Sequence, residues 1–250
     1  MIAKKKIILP LLVIILVILA ITMLTIPNNK LGEPTFSKYY QGNYKKVFNE
    51  LLPAAQNGDS VAQVSLGNLY RRGLGIKQDY KKAYYWYKMA ADQNNPDALG
   101  SIGLMYKNGI FFKKNDKKAI QYYNKALKID SSNSTTKYNL ALIYLNGPTE
   151  INNIPKGLKL LNESVQENNS IAESEMGISY YLGLHNLPIK YKEAFRLTKK
   201  SAFQGDPMGQ NNLALLYYEG KAIKKNDFIQ HGYMDILKNR NSLLKLIHSI

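Results

Sequence analysis

Apolar residues return along this chain at helical spacing, and they return in units. In the stretch from Ser60 to Gly73 they fall at Ala62, Leu66, Leu69 and Tyr70, one stripe of a helix. Gly73 closes that helix where a left-handed residue is needed, since glycine has no Cβ to resist it. The loop Leu74-Gly75-Ile76-Lys77-Gln78 follows, and Asp79 stands where a helix N-cap accepts hydrogen bonds from free amides. A second helix begins at Tyr80 with Ala83, Trp86, Tyr87 and Ala90 on its inner stripe. Asn94-Asn95-Pro96 then ends one unit and opens the next.

The unit recurs. Leu66-Gly67, Tyr70 and Gly73 come back as Ile102-Gly103, Tyr106 and Gly109, and as Leu140-Ala141, Tyr144 and Gly147. They come back again as Met176-Gly177, Tyr180 and Gly183, and as Leu213-Ala214, Tyr217 and Gly220. The tyrosines step by 36, 38, 36 and 37 residues. A fixed period in this range means stacked helix pairs, because one pair cannot bury its own stripe. Small residues recur where helices must approach: Ala62, Ala98, Thr136, Ala172 and Gly209 in the first helix, Ala83, Ala119, Gly157 and Ala194 in the second. The pattern predicts an all-α solenoid of stacked helix-turn-helix repeats. Phe36–Asp59 reads as a shortened first unit, and 225–250 as a helical cap built on Ile236, Leu237, Leu243, Leu244, Leu246 and Ile247.

These residues carry a resemblance. The pattern Ala-x-x-x-Leu-Gly-x-x-Tyr-x-x-Gly, the loop ending in Asp79-Tyr80-Lys81-Lys82-Ala83, and Trp86-Tyr87 with Ala90-Ala91 resemble the Sel1-like repeat family, relatives of tetratricopeptide repeats. The resemblance covers residues 36–224 and implies a right-handed α-solenoid there, an adaptor of envelope, secretion or signalling systems that binds protein without catalysis. It also implies that first helices line the inner curve. The positions facing that curve are then Asn68, Leu104, Leu142, Ile178 and Leu215, with Arg71, Lys107, Leu145, Tyr181 and Tyr218 beside them and Tyr138 one turn before Leu142. This ladder is basic at its start and apolar-aromatic at its end, the composition of a protein-contact surface.

The N-terminal segment changes the picture. Ile7–Ile26 is uncharged and nearly all apolar, about 30 Å long as a helix, the thickness of a bilayer core. Residues 1–26 therefore read as a single-pass signal anchor and 27–35 as its linker, with a cleaved export signal as the alternative. Lys4-Lys5-Lys6 precede the run and only Lys30 follows closely, which places the N-terminus in the cytoplasm and the repeats outside, in a bacterial periplasm. The chain has 34 basic and 18 acidic residues, and +13 remains on residues 27–250. Charge of this size steers anionic partners, and export argues against nucleic acid. Lysine pairs at Lys45-Lys46, Lys81-Lys82 and Lys117-Lys118 recur in phase and predict a basic ridge on the convex side.

Chemistry is thin. With no cysteine there is no disulfide, no thiolate metal site and no lipid-modified cysteine. His185, His231 and His248 lack metal-ligand spacing, no phosphate loop is present, and no catalytic set, metal or cofactor is expected. The reading is a monomeric, inner-membrane-anchored scaffold or regulator of envelope or secretion proteins. The alternatives are an immunity protein against a secreted antibacterial toxin, or an inhibitor of a cell-wall hydrolase.

Overall fold

The structure is a computed structural model that describes residues 43–220. The anchor, its linker, the start of the shortened first unit and the C-terminal cap lie outside the described residues. Among the described residues no helix is long and apolar enough to cross a membrane.

Among the described residues ten α-helices follow one another, beginning with α1 (Tyr44–Gln56), α2 (Ser60–Arg72), α3 (Tyr80–Asp92), α4 (Pro96–Asn108) and α5 (Asp116–Ile129). After these come α6 (Ser134–Asn146), α7 (Ile154–Gln166), α8 (Ser170–Leu182), α9 (Tyr191–Phe203) and α10 (Pro207–Glu219). A short 3-10 turn, Leu184–Asn186, sits between α8 and α9. Even-numbered helices are the first helices of each pair. Odd-numbered helices are the second, and α1 is the second helix of the shortened unit.

Local chemistry sets the ends. Asp79, Asn115 and Asn153 cap the second helices α3, α5 and α7 by accepting from the backbone N–H three residues on, as the Asp79 reading required. The cap fails at α9, where Lys190 has no acceptor to offer. First helices end at Gly73, Gly109, Gly183 and Gly220, each with φ between 65° and 69°. Gly147 departs, with φ −75° and ψ 174°. Pro148 follows it, and the proline ring forces the preceding residue into extended backbone.

Within a pair, close approach is made by removing a side chain. A Cβ on Gly67 would lie 2.4 Å from Tyr87 Cε1, so the fully buried Tyr87 ring occupies the space that the missing side chain leaves. The third full pair reverses the roles. Ala141 stands on its first helix, and Gly157 on its second makes room for Leu145, 2.6 Å from where a Cβ would be. Buried stripes then join into clusters that pass from pair to pair, such as Ala83, Tyr87, Ile102 and Met105, and Ala141, Leu161, Ala172, Met176 and Leu197. Fully burying one leucine such as Leu66 is worth about 2 kcal/mol.

First helices also meet across units, α4 against α6 and α8 against α10, more closely than second helices do. This is the arrangement expected of first helices on the inner side of a curve.

Candidate functional site

The candidate surface is read from the residues that fall two positions before and one position after each repeat tyrosine on the first helices. At the N-terminal end the surface is polar. Tyr87 reaches through the pair, its hydroxyl donating to Asn68 Oδ1 at 2.8 Å and accepting from Arg71 Nε at 3.2 Å. One unit on, the same register holds Leu104 and Lys107, both half-buried. Lys107 turns sideways instead, and its Nζ donates to Asn139 Oδ1 on α6 at 2.9 Å.

Three further groups converge there. Burial pushes the Lys107 ammonium below its ordinary pKa and pushes the Glu175 carboxyl above its own, with Lys107 and His185 pulling Glu175 partly back. Neither charge has an ion-pair partner within 4 Å among the described residues. Burial lifts the Tyr138 hydroxyl to about 12, and the Glu175 charge adds to the lift. His185 is held in the left-handed region, φ 56°, in the turn after α8. Leu142 is half-buried and Leu215 exposed, and the half-buried Ile178 packs against Tyr181, Ala194 and Leu216. Thus Lys107 and Tyr138 meet Glu175, Asn139 and His185, which the repeat pattern did not single out. The signal for Glu175 and Asn139 was their shared register, five residues before the tyrosines of their units.

Two ladder residues are elsewhere. Tyr181 is 6% exposed: its hydroxyl donates to Glu219 on α10, and its ring lies 5.7 Å from Tyr191. It binds the last two units to each other and is not an open anchor. Leu145 is likewise buried, filling the gap left by Gly157. Tyr218 lies on α10, and its side chain is outside the described residues.

The members of the lysine ridge stand in the first turns of second helices, at one edge of the solenoid. One lysine of the second and third pairs covers a repeat tyrosine: Lys82 Nζ lies 5.4 Å from the Tyr70 ring centre and Lys118 Nζ 5.1 Å from that of Tyr106. Lys156 does the same at 4.4 Å over Tyr144, and Lys190 at 5.6 Å over Tyr180. The repeat tyrosines are therefore each a packing ring with a cationic lid in four units. Among the described residues no cluster of three His, Cys, Asp or Glu could hold a metal ion.

The Sel1 repeat profile matches the chain five times, at residues 60–95, 96–130, 136–169, 170–206 and 207–233. The chain belongs to the Sel1 repeat family. Its fold is similar to the Sel1 repeat protein from Oxalobacter formigenes, at 25% identity over 81% of this chain and 85% of that one, with a TM-score of 0.61. It is also similar to c5321, a protective antigen of uropathogenic Escherichia coli, at 25% identity and a TM-score of 0.58. That match covers 72% of this chain but 38% of that one, so these Sel1 repeats span well under half of the antigen's length. The immunity protein Pa5087 from Pseudomonas aeruginosa shares the fold at 22% identity, a TM-score of 0.53 and coverage of 72% of this chain and 69% of that one. No curated protein matches the chain.

Proposed function

We propose that this protein-binding Sel1 solenoid captures one protein partner on its inner curve, while its N-terminal segment anchors it in a bacterial inner membrane with the repeats in the periplasm. The binding is non-catalytic, and the role is that of a scaffold or regulator of envelope or secretion proteins.

The observation that supports the reading is the unpaired charge of Lys107 and Glu175 beside Leu104, Tyr138 and Leu142. Ionised groups held partly away from water, next to half-buried apolar side chains, cost stability unless a partner uses them. Such a mixture of an apolar centre with a few placed charges is the composition of binding hot spots. The anchor rests on the apolar run Ile7–Ile26 and its flanking lysines.

Immunity against a delivered toxin is the second reading. The +13 charge of residues 27–250 favours it, since charge speeds the capture of an acidic protein. The likeness to an immunity protein is one of fold and adds no weight of its own.

Crosslinking in native cells with the anchor intact, followed by mass spectrometry, tests the proposal. Leu142→Arg is expected to lower recovery of the partner by about tenfold or more, as loss of a central contact does, with helix content unchanged by circular dichroism. Unchanged recovery from a folded variant would sink the inner-curve assignment. A single toxin-like partner selects the immunity reading, and several resident envelope proteins select the scaffold.

A further inference from the structure

The edge that carries the loops from first to second helices holds an exposed aromatic residue at a position built for glycine. Phe111 has φ 66°. Its counterpart 36 residues earlier is Gly75, with φ 70°, where a Cβ would meet Lys45 N at 2.5 Å. The left-handed region resists any residue with a Cβ, and bulky ones most. Here a phenylalanine is kept in it. The neighbours explain its direction: Ile110 and Phe112 turn inward against the cluster of Ala83, Tyr87, Ile102 and Met105. Phe111 is left facing out, stacked on Tyr84 at 5.5 Å and still 47% exposed. Packing alone accounts for Phe112 but leaves half of Phe111 in water.

Charge gathers on the same edge. Lys114 is within 3.7 Å of Asp116, and Lys118 covers Tyr106. Lys77, Lys81, Lys113 and Lys117 are exposed and have no such partner among the described residues. The turns of the opposite edge, 57–59, 93–95, 130–133, 167–169 and 204–206, contain neither lysine nor arginine. Residues 43–133 hold 15 basic and 7 acidic residues, a net +8, whereas 134–220 hold 8 of each. The excess charge of the described chain is thus in the units nearest the anchor.

The path of the chain points the same way. The first turn of α1 lies against Gly75, so the polypeptide enters the solenoid at this edge. Only residues 27–43 separate the apolar run from α1, a reach of at most roughly 60 Å. A surface tethered that closely meets the bilayer at high effective concentration, so a weak contact is occupied. Exposed aromatic rings interleaved with lysines are what the headgroup region of an anionic bilayer accepts.

We propose that this edge docks on an anionic phospholipid surface, with Phe111 among the headgroups and Lys77, Lys81, Lys113 and Lys117 against lipid phosphates. The inference rests on the membrane attachment proposed above and adds an orientation to it: the solenoid lies with one edge down, its inner curve open to the side.

The absence of native cysteine makes the test direct. The full chain with Asn108→Cys, beside the loop, is labelled with an environment-sensitive fluorophore and reconstituted into vesicles with or without phosphatidylglycerol. Ser131→Cys on the opposite edge is the control. The label at 108 is expected to shift to the blue and lose several-fold in quenching by aqueous iodide on phosphatidylglycerol vesicles. That at 131 stays in water. Phe111→Ser with Lys113→Glu and Lys117→Glu abolishes the shift. A label at 108 that stays equally wet on both vesicles overturns the inference, as does a shift that survives the triple substitution. Carbonate washing reads the anchor separately. A chain that washes off fails the attachment reading alone, and the response of label 108 to added phosphatidylglycerol vesicles still decides the docking.

Discussion

Tyr87 and Tyr123 are the same residue of two successive units, both with fully buried rings, and they differ in one hydroxyl. Tyr87 Oη is bracketed by Asn68 and Arg71. Their counterparts are Leu104 and a Lys107 that points to Asn139, so Tyr123 Oη is buried with no hydrogen-bond partner. Burial pushes the Tyr123 hydroxyl strongly up from its ordinary pKa. Removing a bonded buried hydroxyl leaves its partners unpaired, whereas removing an orphan removes a desolvation penalty. Tyr87→Phe is expected to cost about 1–2 kcal/mol, and Tyr123→Phe to be neutral or to stabilise by up to about 1 kcal/mol. Urea denaturation of the two variants checks this. Equal losses would mean that the hydroxyls do not matter and the rings alone do. Where the unit gives up the Asn68 type of partner, it gains the half-buried Leu104.

At the scale of elements, the asparagines between units do two jobs. Asn95, Asn133 and Asn169 each cap a first helix through Oδ1 and donate Nδ2 to the start of the preceding first helix. For Asn133 the cap bond to Thr136 N is 2.9 Å and the bond to Asp97 Oδ1 is 2.9 Å. Asn133→Asp keeps the cap, loses the second bond and sets two carboxylates side by side. It is expected to cost about 1 kcal/mol, and Asn133→Ala about 2 because the cap goes too. Adding Asp97→Asn to Asn133→Asp should recover most of the loss. No recovery in thermal unfolding would place the cost elsewhere. The helices themselves were legible from Tyr70, Gly73 and Asp79, since spacing and end residues act locally. Gly147 was not, because Pro148 overrides the glycine habit. Neither was Tyr181, because its partners Tyr191 and Glu219 belong to the following helices and only the stacking of units brings them to it. The ladder register could be read from the period. The convergence of Lys107, Asn139 and Glu175 could not, since it depends on how three successive first helices are rotated.

At the scale of the molecule, several charges of the described residues are held in pairs. Even Glu173, with a fully buried side chain, has Lys200 Nζ 2.6 Å away and accepts from Gln204 Nε2 at 2.7 Å. The inner curve is where charges are held without pairing, and it should therefore trade stability for binding. Glu175 shows the sign. Its carboxyl is raised above its ordinary pKa by burial, so the folded chain holds that proton more tightly than the unfolded chain. The stability associated with the protonated form is complete below the unfolded-state pKa and is lost as pH rises through the raised one. Wherever the pH lies above the unfolded-state pKa, burial of this carboxyl is a net cost. Glu175→Gln should raise the melting temperature at pH 7 by a few degrees at most. The gain should shrink to nothing below about pH 4, where the wild-type group is protonated in both states. The same substitution should weaken partner capture, because it removes one of the charges that the partner meets. Calorimetry across pH, alongside capture by the same variant, separates the two effects. A lower melting temperature at pH 7 would mean that Glu175 is a structural residue and that the inner curve is not held against stability.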